Sequence, residues 1–123
     1  MTINEISKIV LDCAFKIHTA LGPGLLESAY KECLSYELIK NGLKVEKEKA
    51  LPLIYEEVKL ECGYRIDLLV ENQVIIELKV VESFNDVHIA QTLTYMKLSG
   101  CKLGLLLNFY TKSLKNGIKR LIL

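Results

Sequence analysis

Two acidic residues and a lysine on neighbouring strand-like segments are the strongest candidates for chemistry in this sequence. Asp67 lies in the apolar segment 64–70, and Glu77 and Lys79 lie in the apolar segment 74–81. Both segments have the composition of β-strands, and the polar residues between them are typical of a turn. We therefore expect a β-hairpin that brings the three side chains close together.

The register of this hairpin decides whether the two carboxylates meet. If Glu71-Asn72-Gln73 form the whole loop, Val70 pairs with Val74 and Asp67 lies directly opposite Glu77. Because side chains alternate between the faces of a strand, the lysine two residues after Glu77 then shares their face. The other face is entirely apolar and consists of Ile66, Leu68, Val70, Val74, Ile76, Leu78 and Val80. A two-residue loop would instead place the two carboxylates on opposite faces.

Two carboxylates at opposed positions of a hairpin repel each other and weaken the sheet. A hard divalent cation removes that penalty, since Mg²⁺ prefers carboxylate oxygens together with water. A metal held by Asp67 and Glu77 beside Lys79 fits metal-assisted phosphodiester hydrolysis, in which the lysine stabilises an attacking hydroxide or a phosphate oxygen. The residues alone leave an alternative open, namely a solvated strand face with ion pairs between Asp67 and Lys79 and between Arg65 and Glu77.

Three segments show the apolar period of α-helices. They are 3–21, after a capping box of Thr2 and Glu5 and before Gly22-Pro23; about 25–41, which ends at Asn41-Gly42; and 86–99, between an Asn85 cap and Gly100. We expect these helices to pack on a sheet.

Six segments are rich in residues that favour strands. They are 45–55, which is interrupted by Pro52, then 58–62, 64–70, 74–81, 103–109 and, as the weakest, 118–123. The helix between strands 74–81 and 103–109 predicts a parallel pair, preceded by antiparallel hairpins. The expected fold class is therefore α/β, of the α+β type, with a central mixed sheet flanked by helices in a single domain over residues 1–123.

The composition excludes several other classes of protein. The chain has 123 residues, of which half are hydrophobic, and a net charge of only +1, so no strong overall field attracts nucleic acid. No apolar run approaches the roughly 20 residues of a membrane span. The four cysteines lack a C-x-x-C spacing and fit a reducing compartment, so a cytoplasmic location without membrane contact is expected.

Several elements of the sequence, and the order in which they occur, resemble the PD-(D/E)XK nuclease superfamily. Gly24-Leu-Leu-Glu27-Ser-Ala-Tyr30 is similar to the signature of the small GxxExxY proteins assigned to it. Asp67 followed by Glu77-Leu78-Lys79 resembles the D…E-x-K core, and Gln91-Thr-Leu-Thr-Tyr95 resembles the Q-x-x-x-Y element of the exonuclease branch. The resemblance extends from Ile9 to about Tyr110 and implies a restriction-endonuclease-like core.

The resemblance implies a set of metal ligands. Asp67 and Glu77 would bind Mg²⁺ or Mn²⁺ together with the main-chain carbonyl of Leu78, and Glu27 would add another carboxylate near the metal. From the residues alone, Glu27 is an acid in the first turn of a helix, where the helix dipole favours a negative charge.

The resemblance also implies catalytic and substrate-binding residues. Lys79 would orient or activate the attacking water, and Gln91 and Tyr95, one helical turn apart, would position Lys79, the water or the substrate phosphate. Arg65 and Tyr30 are further candidates for substrate contact, since arginine binds phosphate and tyrosine stacks on bases. The alternative is that Gln91 is an ordinary surface residue and Tyr95 an aromatic residue at the edge of the core.

The predicted function is a divalent-metal-dependent nuclease that acts on nucleic acid, with DNA favoured. The alternative is a non-catalytic nucleic-acid-binding or assembly module on a nuclease-like scaffold. A homo-oligomer that uses the apolar tail 121–123 is compatible with either function. His88, in the first turn of the third helix, is expected to have a capping or surface role and not to act as a general base.

Overall fold

Helices and strands follow one another along the chain in the order that the apolar patterns predict, with two helices first and a third helix between the last strands. The computed structural model describes all residues from 1 to 123. The elements are α1 (Ile3–Leu21), α2 (Glu27–Lys40), β1 (Val45–Ala50), β2 (Leu53–Tyr55), β3 (Val58–Leu60), β4 (Arg65–Val70), β5 (Val74–Lys79), α3 (Asp86–Ser99), β6 (Leu103–Asn108), a short 3₁₀ helix (Leu114–Gly117) and β7 (Ile118–Ile122). No helix combines the length and the hydrophobicity that a membrane crossing requires.

The expected caps begin the first and third helices. The Thr2 side chain accepts a hydrogen bond from the Glu5 N–H at 3.1 Å, and the Glu5 carboxylate accepts one from the Thr2 N–H at 3.0 Å. The Asn85 side chain accepts from the His88 N–H at 2.9 Å, and His88 Nδ1 accepts from the Asn85 N–H at 3.3 Å. His88 therefore completes a capping box, as expected, and its ring is used in this role.

Five strands form one mixed sheet in the order β1-β4-β5-β6-β7. Only β5 and β6 run parallel, and α3 connects them, which confirms the predicted crossover. β2 and β3 form a separate two-stranded hairpin. Pro52 lies between β1 and β2, and because proline has no N–H to donate, the chain leaves the sheet there.

The β4–β5 hairpin has the register that a loop of residues 71–73 requires. Val70 pairs with Val74, and Leu68 pairs with Ile76. Glu71 and Asn72 close the loop with left-handed φ angles of 52° and 55°. The two-residue alternative, with the carboxylates on opposite faces, is thereby excluded.

The two faces of the sheet are covered by different helices. α1 and α2 pack on the larger apolar cluster, which contains five residues of the predicted apolar face: Leu68, Val70, Val74, Ile76 and Leu78. α3 packs on the other face through Tyr95 and Met96. Gly104 of β6 allows this close approach, because a Cβ atom there would lie only 2.7 Å from Met96 Sδ.

One residue of the predicted apolar face is on the other side. Ile66 is fully buried but packs with the cluster under α3, so its assignment to the face of Leu68 was wrong. The regular alternation is interrupted beside it: β1 and β4 pair through Lys47–Leu68 and Lys49–Ile66, while Glu48, opposite Asp67, is unpaired and has φ 52°. The register is the same on both sides of Glu48, so the left-handed backbone of this residue interrupts the ladder without inserting an extra residue.

Candidate active site

Asp67 and Glu77 lie opposite each other where β4 and β5 separate. The ladder of paired residues ends with Leu68–Ile76. Beyond it, the Asp67 N–H donates to Glu77 Oε2 at 2.8 Å, and the Leu78 N–H donates to Asp67 Oδ2 at 2.9 Å. The two carboxylates thus accept hydrogen bonds that main-chain carbonyls would otherwise accept, which keeps the buried N–H groups paired.

The environment of Glu77 disfavours a negative charge. Its side chain is almost completely buried, at 4% exposure. Burial, together with the negative charge of Asp67, raises the pKa of Glu77 to about 8, although the hydrogen bond from the Asp67 main chain and the charge of Lys79 act in the opposite direction. A cation bound between Asp67 and Glu77 would remove this repulsion.

Glu27 is the first residue of α2 and is half-buried beside this pair. Burial and the charge of Asp67 raise the pKa of Glu27, while Lys79 and Lys31 counteract them. Glu27 therefore lies within electrostatic reach of Asp67 as well as in the first turn of a helix. No three Asp, Glu, His or Cys side chains, however, are grouped closely enough to hold a metal ion.

Sequence reasoning missed two charged residues of the site. Lys31 Nζ lies 3.4 Å from Asp67 Oδ1 and also pairs with the Glu48 carboxylate. Lys31 stands four residues after Glu27 on α2, a spacing that puts both on one face and was a usable signal. Glu48 had no such signal, because its position depends on its left-handed backbone conformation in β1.

Lys79 ends β5 and is half-buried. Its main-chain carbonyl accepts a hydrogen bond from the Phe109 N–H at 3.0 Å, which ties the strand end to β6. Its ammonium group lies within electrostatic reach of Glu27 and Glu77 but forms no ion pair with a carboxylate. It is therefore free to bind an anionic group of a substrate, and the alternative pairing of Asp67 with Lys79 is not formed.

The charges of the site do not balance. Six groups sense one another: the carboxylates of Glu27, Glu48, Asp67 and Glu77 and the ammonium groups of Lys31 and Lys79. With all of them ionised the cluster carries a charge of −2, which one divalent cation neutralises. Carboxylate oxygens are also the ligands that Mg²⁺ and Mn²⁺ prefer. The chemistry of the donors therefore suits such an ion, although only two of the carboxylates, those of Asp67 and Glu77, each contact the other's strand.

Gln91 and Tyr95 lie one turn apart on α3, in a cavity that does not include the carboxylates. Both line a cavity of about 330 Å³ that also includes Tyr64. Burial and the charge of Glu77 raise the pKa of the Tyr95 phenol, so the phenol lies within electrostatic reach of that carboxylate. The Gln91 side chain is half-buried and makes no hydrogen bond within the protein, so it is available to water or substrate. Neither residue makes a hydrogen bond to Lys79.

Tyr30 does not face a substrate. It is fully buried, and its ring stacks on Phe109 with centroids 4.5 Å apart. Its hydroxyl donates to the Gly22 carbonyl and accepts from the Leu25 N–H at 3.0 Å. The predicted substrate contact is therefore wrong. Tyr30 belongs to the apolar face of α2, lies in the core, and its hydroxyl fixes the turn before the helix.

Arg65 lies at the rim of the site. Its exposed guanidinium donates to the main-chain carbonyl of Glu48 at 3.3 Å and is otherwise open to solvent. The alternative ion pair between Arg65 and Glu77 is not formed. This position leaves Arg65 available for contact with a phosphate.

Asn108, which the sequence patterns did not single out, fixes the chain just after Lys79. It is buried at the end of β6, where it pairs with Lys79 in the parallel ladder. Its side chain accepts from the Val81 N–H at 3.2 Å and donates to the Val81 carbonyl at 2.7 Å. A polar residue that ends the run Leu103–Leu107 was the only signal in the sequence for this role.

The mixed sheet, the flanking helices and the carboxylates at a separating hairpin define a nuclease-like α/β domain. Comparison with protein families matches residues 4–121 to the PD-(D/E)XK nuclease superfamily, and the chain therefore belongs to that superfamily. Nucleases of this superfamily generally use divalent metals and act on nucleic acid. Searches among curated proteins and among solved structures gave no match. The narrower GxxExxY assignment, the cytoplasmic location and the homo-oligomer stay predictions.

Proposed function

We propose that this protein is a divalent-metal-dependent nuclease that hydrolyses phosphodiester bonds through Asp67, Glu77 and Lys79. The observation that carries the proposal is the reciprocal hydrogen bonding of the Asp67 and Glu77 carboxylates at the end of the β4–β5 ladder. The free ammonium of Lys79 lies on the same strand as Glu77. Membership of the nuclease superfamily supports the same conclusion.

Each side chain of the site has a separate task in this reaction. Asp67 and Glu77, with the Leu78 carbonyl and Glu27, would hold Mg²⁺ or Mn²⁺, which supplies Lewis-acid activation of water and of the phosphodiester. Lys79 donates hydrogen bonds to a phosphate oxygen and stabilises the negative charge that develops there. This step requires an unpaired ammonium, which is the state in which Lys79 is found.

The residues around this centre position the substrate. The unpaired carboxamide of Gln91 orients the attacking water or the phosphate, and Tyr95 closes the side of the site next to Glu77. Arg65 at the rim binds a neighbouring phosphate.

The distribution of paired and unpaired lysines indicates where the nucleic acid lies. Lys44, Lys47 and Lys49 are all ion-paired, to Glu46 or Glu32, so this cluster has little free charge. The lysines near the C-terminus form no ion pair with a carboxylate; they are Lys112, Lys115 and Lys119. We therefore expect the phosphate backbone to follow the segment 112–119.

The test is cleavage of labelled single- and double-stranded DNA and of RNA with Mn²⁺. Asp67→Asn and Lys79→Met should each lower the rate by roughly a hundredfold or more, since each removes a group that acts on the reacting phosphate. Lys97→Met is the matched control, because Lys97 is an exposed, unpaired lysine in the last turn of α3. Activity that survives both site substitutions does not come from this site.

A second candidate function is supported by one observation. The site holds no group of three acidic, histidine or cysteine ligands, and Lys31 already lies against Asp67. A module that binds nucleic acid without cleaving it would need neither a complete metal site nor an unobstructed Asp67. Binding of nucleic acid that EDTA does not change, without any cleavage, favours this function over the nuclease.

A further inference from the structure

Lys31 connects α2 to two strands at the centre of the charge cluster. Its side chain is only 13% exposed, and its ammonium lies between the carboxylates of Glu48 on β1 and Asp67 on β4. Burial opposes a charge on this lysine, but the hydrogen bond to Glu48 and the charge of Asp67 outweigh burial and raise its pKa. Lys31 is thus a cation inside the site.

We propose that Lys31 sets the affinity of the site for divalent metal: it is the counter-ion of Asp67 in the metal-free protein and pairs with Glu48 alone when a metal ion binds. The inference rests on the proposed function, since it concerns the same site. Lys31 is a positioning residue in this scheme and does not act on the substrate.

The two oxygens of Asp67 have different partners, and this difference supports the proposal. Oδ2 accepts the hydrogen bond from the Leu78 main chain, while Oδ1 faces only Lys31. Oδ1 is therefore the oxygen left for a metal ion. A lysine ammonium 3.4 Å away repels a divalent cation at that oxygen, so binding requires the lysine to move toward its second partner.

Glu48 is placed to receive Lys31. Its left-handed backbone conformation, with φ 52°, is rare for a residue other than glycine and is strained. Such strain persists only where surrounding contacts fix it, and the ion pair with Lys31 is the side-chain contact that Glu48 makes. The left-handed residue Glu48 thus presents a second carboxylate to the lysine from β1, outside the β4–β5 hairpin.

A second bridge between the same two elements provides the control. Glu32, the residue after Lys31 on α2, pairs at 2.7 Å with Lys47, the residue before Glu48 on β1. This bridge also joins α2 to β1, but its polarity is reversed, it is more exposed, and it does not contact Asp67. Lys47→Met therefore removes an α2–β1 ion pair without changing the charge next to Asp67.

The experiment is calorimetric titration of the full chain with Mn²⁺, combined with thermal unfolding in EDTA. Lys31→Met should bind Mn²⁺ roughly tenfold more tightly than the wild type, since the competing cation is gone, and should unfold at a lower temperature without metal. Lys31→Arg retains the positive charge beside Asp67, and Lys47→Met does not change that charge. Both variants should therefore bind Mn²⁺ within about twofold of the wild type. Glu48→Gln should bind more weakly, because Lys31 then has no partner except Asp67.

Two results overturn the inference by itself. The first is that the wild type binds Mn²⁺ and Lys31→Met binds it equally well or more weakly. The second is that Glu48→Gln binds Mn²⁺ as tightly as the wild type. This second result decides the question even if Lys31→Met does not fold. Absence of Mn²⁺ binding by the wild type overturns the proposed function, and the inference with it.

Discussion

The carboxylate of Glu77 accepts a hydrogen bond from the main-chain N–H of Asp67, 2.8 Å away on the opposite strand. The Asp67 carboxylate accepts in turn from the main chain next to Glu77. The groups proposed to bind metal therefore also hold the end of the hairpin together. A substitution that removes either carboxylate changes the fold as well as the chemistry, so the informative variants are amides that keep the acceptor oxygen.

Glu77→Gln should make the metal-free protein more stable at high pH. The pKa of Glu77 is about 8 in the folded state against a usual 4.5, so the folded state holds its proton more tightly than the unfolded chain. The stability from this group is therefore fully present below about pH 4.5 and is lost as the pH rises toward 8, by at most about 1.4 kcal/mol for each pH unit. The amide avoids this loss.

Thermal unfolding in EDTA at pH 5 and pH 9 measures the effect. We expect similar melting temperatures at pH 5 and a higher one for Glu77→Gln at pH 9, by roughly 3–5 °C for each kcal/mol gained. A variant less stable than the wild type at pH 9 would show that the ionised carboxylate is stabilising.

Mn²⁺ binding should tighten as the pH rises toward 8. The carboxylate of Glu77 must lose its proton to act as a ligand, so below its pKa of about 8 each metal ion bound releases close to one proton. Affinity should then increase by up to about tenfold for each pH unit and level off above pH 8. Calorimetry in two buffers with different heats of ionisation counts the released protons directly. A constant affinity between pH 6 and pH 8 would contradict the prediction.

Replacement of Asn108 should loosen the strand end that carries Lys79. Asn108→Leu removes both hydrogen bonds to Val81 and leaves half-buried main-chain groups without partners, at a cost of about 1–3 kcal/mol. Chemical denaturation measures the loss, and cleavage should fall with it because Lys79 is less well positioned. Asn116→Leu is the control, since Asn116 is exposed and its side chain makes no hydrogen bond. Equal stability of the two variants would remove the proposed role of Asn108.

Tyr30→Phe should lower stability and leave binding unchanged. The lost hydroxyl leaves the Gly22 carbonyl and the Leu25 N–H without their partner, which costs about 1–3 kcal/mol. Mn²⁺ and nucleic-acid affinity, measured where both proteins are folded, should match the wild type. Tyr36→Phe is the comparison on the same helix, because Tyr36 is exposed. If Tyr30→Phe lost nucleic-acid affinity selectively, the result would support the predicted substrate contact of Tyr30, against the evidence of its burial.

The parts of the site that local patterns determine could be predicted from the sequence. The turn after Val70 fixes the hairpin register, and the register places Asp67 opposite Glu77. Long-range packing decided the rest. Glu48 lies beside Lys31 in a left-handed backbone conformation that its residue type does not predict, and Tyr30 could be assigned to the core only once Phe109 was known to lie against it.

The β2–β3 hairpin stands apart from the five-stranded sheet, and this separation divides the molecule into two levels of local stability. A hairpin of three-residue strands with no neighbouring strand is only marginally stable in water. Its amide protons should therefore exchange with solvent through local opening, whereas those of β5, paired on both sides, exchange only when the whole domain unfolds. The strands that hold Asp67 and Glu77 thus stay closed while the hairpin opens and closes beside them.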